Sequence, residues 1–157
     1  PSTYLCTLEE LLDLYRLLIN HAASQGAEWV VIELADGLLQ RETAALLQTA
    51  SLTASVDAWI LAASDSIAAA GGVSVLRGWG IHPVAVSGLV SMSPLCIRET
   101  EAATNLPCLT AKELQGGHLN VRLMEVVVSA LSARKSNRVV SPLVWKRESD
   151  VSSGGER

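Results

Sequence analysis

Glu33 and Asp36, with Gly37 directly after them, are the residues of this chain best placed to do chemistry. They stand at the exit of an apolar run, Trp29-Val-Val-Ile-Glu-Leu-Ala35, and just ahead of Leu38-Leu-Gln-Arg-Glu-Thr43. Ligands of α/β proteins gather in the crevice beyond the carboxyl ends of the strands. Hard cations prefer carboxylate oxygens, so the chemistry expected here is a shared magnesium ion or a polar cofactor held by Glu33, Asp36 and the turn at Gly37. Pleat alternation would put Glu33 and Asp36 on opposite faces of a continuous strand. They converge only if the chain turns at Asp36-Gly37. The competing reading makes Asp36 a turn residue or helix cap, and Glu33 the partner of Arg41 or another cation, because an acid in a buried strand is costly unless paired.

Other polar residues carry weaker signals. Arg41 and Glu42 open a helix and suit a solvated helix start. Ser64-Asp65 and Ser87-Gly88 close two further apolar runs, where capping and close packing explain them without a ligand. His21, His82 and His118 have no serine or cysteine partner at a spacing that suggests a nucleophilic triad. Cys6, Cys96 and Cys108 form no Cys-x-x-Cys pair and have no histidine at zinc-ligand spacing, which points to free thiols in a reducing cytoplasm, with a Cys96–Cys108 disulfide as the alternative.

The elements that must position these residues alternate. Thr7-Leu-Glu-Glu10 has the form of a capping box. The helix it opens carries apolar residues at 8, 11, 12, 15, 18, 19 and 22, and Gly26 is its left-handed stop. Residues 29–35 read as a first strand, apolar enough for burial on both faces. A helix over about 40–50 follows, then a strand over residues 57–63. Ser64-Asp65-Ser66 starts a helix over about 66–79, whose Gly71-Gly72 pair suggests close backbone packing. Gly80 ends it, and residues 83–90 form a third strand. Ser93-Pro94 opens a helix to about Thr104, with Asn105 as the left-handed exit. Residues 106–110 make a short edge strand because of Pro107, and a last helix covers about 118–135. Residues 1–135 thus read as one α/β domain, with a parallel sheet of about four strands covered by helices on both faces. Residues 136–157 read as a largely flexible tail, in which Val139-Val-Ser-Pro-Leu-Val-Trp145 is apolar enough to dock on a partner or on the domain itself. Trp29, Trp59 and Trp79 sit on apolar elements and suit core or edge packing. A chain that opens on a helix and begins with Pro1 suggests a processed product or the second part of a longer protein.

Composition narrows the class. The 157 residues are 49% apolar and 18% charged, without phenylalanine, which fits a globular domain with an aliphatic core. A net charge of −4 and no basic cluster inside the domain argue against nucleic acid as a partner. No apolar stretch approaches the length of a membrane span, and no signal peptide is recognisable.

In order and spacing, residues 28–114 resemble the distal part of P-loop ATPases of the dethiobiotin synthetase type. In that family a strand ends in Glu-Gly-Ala-Gly-Gly-Leu, similar to Glu33-Leu-Ala-Asp-Gly-Leu38. The family's next strand and its glycine-bearing successor are echoed by Ala58-Trp-Ile-Leu-Ala-Ala-Ser64 and by Trp79-Gly-Ile-His-Pro-Val-Ala-Val-Ser-Gly-Leu-Val90. Its Glu-x-x-Thr-Gly-Leu-Pro-Val resembles Glu101-Ala-Ala-Thr-Asn-Leu-Pro-Cys108. The phosphate-cradling Gly-x-x-x-x-Gly-Lys-Ser/Thr loop is absent, and Ser91-Met-Ser93 stands where the family has a base-contacting asparagine. The resemblance implies a Rossmann-like, P-loop NTPase-like fold without its P-loop unit. It also implies ATP and magnesium binding only with an upstream segment of the same protein, and ligase or synthetase chemistry in that longer form. Glu33 would then help bind magnesium or substrate, with Asp36 in support, while the chain alone holds no cofactor. From another class comes the alternative, a non-catalytic α/β interaction or oligomerisation domain in which the acids are structural.

Overall fold

A computed structural model of the chain describes residues 6–34, 36–115, 124–129 and 131–132. Helix α1 (Leu8–Ser24) starts where the sequence puts it. The Glu10 amide donates to Thr7 Oγ1 at 3.3 Å while the Thr7 amide donates to the Glu10 carboxylate at 2.7 Å. Gly26, at φ +77°, ends it. Helices α2 (Arg41–Leu47) and α3 (Ala50–Ser55) follow, then strand β1 (Ile60–Ala62), helix α4 (Ser66–Gly78), strand β2 (Ala85–Ser87) and a 3-10 turn (Leu89–Met92). Helix α5 (Pro94–Thr104) is capped by Ser93 and leaves through Asn105 in the left-handed conformation. Helix α6 (Ala111–Gln115) has a capping box of its own between Thr110 and Glu113. Residues 124–129 and 131–132, within the expected last helix, are helical. His118, Trp145 and the expected tail at 136–157 lie outside the described residues.

The sheet corrects the sequence-based expectation. In place of four parallel strands covered on both faces, the described residues hold a two-stranded parallel sheet in a mostly helical structure. Ile60 pairs with Ala85, Leu61 with Val86 and Ala62 with Ser87. On the far side of β2 the expected fourth strand is reduced to a single parallel bridge, Val86 to Cys108. Its bonds run from the Val86 amide to the Pro107 carbonyl at 2.9 Å and from the Leu109 amide to the Val86 carbonyl at 2.8 Å. Pro107 has no amide hydrogen to extend that ladder. The expected first strand fails for a different reason. Residues 29–34 belong to no strand, and none of their amides or carbonyls takes part in a backbone hydrogen bond among the described residues. Without a neighbouring strand an apolar run has no ladder to join, so strand-type composition alone does not make it one.

Two clusters form the core. Leu61, Val73, Leu76, Ile81, Val86, Val90 and Cys108 hold α4 and the sheet together, with Cys96 and Ile97 of α5 packed against them. Leu11, Leu46 and Leu52 hold α1, α2 and α3 together. Leu34 and Trp59 touch both clusters, so the end of the 29–34 segment is anchored where the two meet. Trp79 is half-buried against the first cluster, whereas Trp29 is 56% exposed. Of the glycine pair in α4, Gly72 packs on Leu61 and Gly71 faces open space. Among the described residues no helix is long and apolar enough to cross a membrane.

Asp65 gives a prediction for the start of α4. Its carboxylate accepts from the Ala68 amide at 2.8 Å and from the Ser64 hydroxyl at 2.7 Å. The bond from the Ala68 amide, then that from Ser64, holds the Asp65 carboxyl below its ordinary value. A carboxyl lowered by folding stabilises the fold above its unfolded pKa, and that contribution is lost as pH falls through the folded value. Asp65→Asn keeps a competent cap but should flatten the acid-side loss of stability seen in thermal melts between pH 6 and about pH 2. Asp65→Ala should lower the melting temperature at neutral pH as well.

Candidate functional site

The 29–34 segment, α1 and α2 enclose an open groove of about 200 Å³. Leu11, Leu14, Tyr15 and Leu18 of α1 form one wall; Ile32, Glu33 and Leu34 form another; and Glu42, Thr43 and Leu46 of α2 close it. Two acids, one threonine and one tyrosine stand among apolar side chains. The wall from α1 is held by the Leu11–Leu46–Leu52 cluster and by a 2.6 Å hydrogen bond between the Tyr15 hydroxyl and Ser55 Oγ.

Glu33 faces this groove and is solvent-exposed, although the strand expected to carry it does not form. Its expected partner is engaged elsewhere: the Arg41 guanidinium donates to Glu42 Oε1 at 2.8 Å. Among the described residues Glu33 is in neither an ion pair nor a side-chain hydrogen bond. Asp36 is exposed at φ +70° and does not cap α2. That role belongs to Gln40, whose side-chain oxygen accepts from the Thr43 amide at 2.8 Å. Gly37 is exposed; its carbonyl accepts from the Gln40 amide at 3.0 Å, which forms the turn before α2. Asp36 and Gly37 do not line the groove, so the structure brings Glu33 together with Glu42 and Thr43 rather than with Asp36.

Glu42 is the site residue that the sequence reading set aside as a solvated helix start. Its carboxylate lies at the groove, paired with Arg41 and hydrogen-bonded by the Gln40 amide group. The Arg41 hydrogen bond, followed by the bond from its own backbone amide, lowers the Glu42 carboxyl below its ordinary value. Glu42 is therefore a fixed anion beside Glu33. A signal for it was present in the Gln40-x-x-Thr43 cap, which starts α2 at Arg41 and so sets Glu42 in its first turn.

The remaining polar candidates have structural work. Ser87 Oγ donates to the Leu109 carbonyl at 2.7 Å in the buried interior. Ser64 and Asp65 build the α4 cap. His82 is exposed, and Cys6, Cys96 and Cys108 are free thiols. Among the described residues no group of three or more His, Cys, Asp or Glu converges as a metal site. The donor set at the groove suits a cation that takes one or two carboxylates and fills its remaining positions from water and phosphate, as magnesium does. No protein-family model, curated protein or solved structure matches this chain.

Proposed function

We propose that the chain is the distal portion of a P-loop NTPase-like domain, whose nucleotide site forms when a segment carrying the phosphate-binding loop is joined to it. The observation that carries this reading is that, among the described residues, neither acid has a structural partner. Glu33 has lost Arg41 to Glu42, and Asp36 has ceded the cap of α2 to Gln40. An exposed carboxylate beside a groove, with no cation paired to it among the described residues, is available to a ligand. In this role Glu33 helps hold magnesium or substrate, Asp36 supports it, and Gly37 lets the backbone come close. Magnesium would supply charge neutralisation for the nucleotide phosphates. Ligase- or synthetase-type chemistry belongs to the longer form. A cytoplasmic setting goes with the three free thiols.

The test uses two forms of the protein. The 157-residue chain should show no measurable nucleotide binding by calorimetry. With a Gly-rich, Lys-Ser/Thr loop joined ahead of Pro1, magnesium-dependent binding of ATP should appear, and Glu33→Gln should weaken it at least about tenfold, the scale of a lost charged contact. Undiminished magnesium-dependent binding by that variant would remove the reading's main residue.

A second reading, a non-catalytic association domain, is favoured by one specific observation: Trp29, Val30, Val31 and Ile32 are exposed in succession, and Ile32 lines the groove together with exposed Leu14 and Leu18 of α1. Exposed apolar surface commonly marks an interaction site. Light scattering across a hundredfold range of concentration tests it, and a strict monomer that binds no other segment counts against it.

A further inference from the structure

Residues 29–34 combine two properties that rarely coexist without a partner. Trp29, Val30, Val31 and Ile32 are apolar and open, with Val31 96% exposed, and the backbone groups of residues 29–34 join no backbone hydrogen bond among the described residues. A segment in this state has amides and carbonyls available to an added strand, which would satisfy them and cover the apolar side chains together.

Charge indicates which strand. The segment is bounded by acids on both sides, Glu28 before it and Glu33 and Asp36 at its far end. Elsewhere in the same chain stands its complement: residues 139–145, Val-Val-Ser-Pro-Leu-Val-Trp, preceded by Arg134, Lys135 and Arg138 and followed directly by Lys146 and Arg147, with Glu148 and Asp150 beyond them. An apolar, β-branched stretch between bases thus matches an apolar, β-branched stretch between acids. Because acids and bases flank both ends, the match holds for parallel and antiparallel alignment. Pro142 lacks an amide hydrogen and is tolerated in a strand with one edge in solvent.

We infer that residues 139–145 dock along residues 29–34 of the same chain as an added edge strand, with their basic flanks against Glu28, Glu33 and Asp36. The docking needs no nucleotide and does not depend on the magnesium reading. It places Lys146-Arg147 or Arg138 next to Glu33, so the tail would compete with a cation for that carboxylate.

Amide hydrogen exchange on the full 157-residue chain tests this directly. Amides of residues 30–34 should exchange at least about tenfold more slowly than in an unstructured peptide, independent of protein concentration. In the full-length Val140→Asp/Val144→Asp variant that protection should disappear, while α4 and α5 keep theirs and so report an intact fold. Lys146→Glu/Arg147→Glu should weaken the protection in the same place. Exchange at the unstructured rate in the unaltered chain would overturn the inference. So would protection that survives both variants, or protection that grows with concentration, which would make a second copy the occupant.

Discussion

Gly88→Ala should lower the stability of the fold by about 3 kcal/mol or more, read as a shift of the urea midpoint at unchanged slope. Two independent causes add. Gly88 has φ +96° and ψ −157°, a region populated essentially by glycine alone, and a side chain held there costs about 1–3 kcal/mol. The site also has no room. A Cβ on Gly88 would stand 2.8 Å from the Ala63 carbonyl oxygen and 2.9 Å from the Ala63 nitrogen. Those are backbone atoms, and both are committed: the Ala63 amide donates to Ser87 at 2.9 Å and its carbonyl accepts from Val90 at 3.1 Å. Relief of the clash must pull apart the ends of β1 and β2, the only strands among the described residues. Gly71→Ala is the matched control. Gly71 lies inside α4 and faces open space, so alanine there should stabilise by up to about 1 kcal/mol through helix propensity. Equal losses at the two positions would show that the Gly88 crossing does not limit the sheet.

The chain's local signals carried well into structure, because they depend on neighbours three or four residues away. The Thr7 box, the Asp65 and Ser93 caps, the glycine stop at Gly26 and the left-handed exit at Asn105 all rest on such short-range geometry. The box at Thr110-Ala-Lys-Glu113 repeats the Thr7 pattern and opens α6, a helix that the sequence reading did not expect. Sheet membership was not, because pairing depends on residues far away in sequence. Residues 29–34 and 106–110 have strand-type composition, yet one has no ladder and the other a single bridge. Periodicity on α1 misled in a related way. Leucines at 8, 11, 12 and 18 promised one buried stripe, but only Leu11 is buried, and Leu14 and Leu17, off that stripe, are exposed. A helix with apolar residues on more than one face needs more than one neighbour, and among the described residues the buried cluster of α1 is shared with α2, α3, Cys6, Leu34, Val56 and Trp59.

The candidate site was half legible for the same reason. Glu33 is visible in sequence as an acid in an apolar run, and it does face a groove. The groove itself comes from α1 crossing α2, which sequence spacing does not reveal, and it brings in Glu42 in place of Asp36. Arg41 decides the electrostatics. Its pairing with Glu42, one residue away, leaves Glu33 uncompensated. The structure thus turns an expected pair of acids at a strand exit into a pair, Glu33 and Glu42, across a groove.

Leu52→Ala should cost about 3 kcal/mol, within the range of about 2–5 kcal/mol found for leucine-to-alanine changes in cores. Leu52 is 1% exposed and shares a cluster with Leu11 of α1 and Leu46 of α2. Cys6, Leu12, Tyr15, Leu34, Val56 and Trp59 pack against that cluster, so the cavity would open where α1, α3 and the end of the 29–34 segment meet. Collapse into it is hindered by the Tyr15–Ser55 hydrogen bond, which pins α1 to the last turn of α3. Tyr15→Phe removes that pin and should cost about 1 kcal/mol alone. Combined with Leu52→Ala it should cost less than the sum, because α1 can then settle into the void. The groove should respond with the core. Leu11, Tyr15 and Leu46 line it and also belong to, or pack on, this cluster. Leu52→Ala should therefore weaken any occupant of the groove severalfold even though Leu52 touches none of its space. Amide exchange on α1 in the variant should quicken while α4 and α5, packed on the other cluster, keep their rates. Uniform quickening across both clusters would instead mean that the chain unfolds as one cooperative unit, and that the groove cannot be loosened without the sheet.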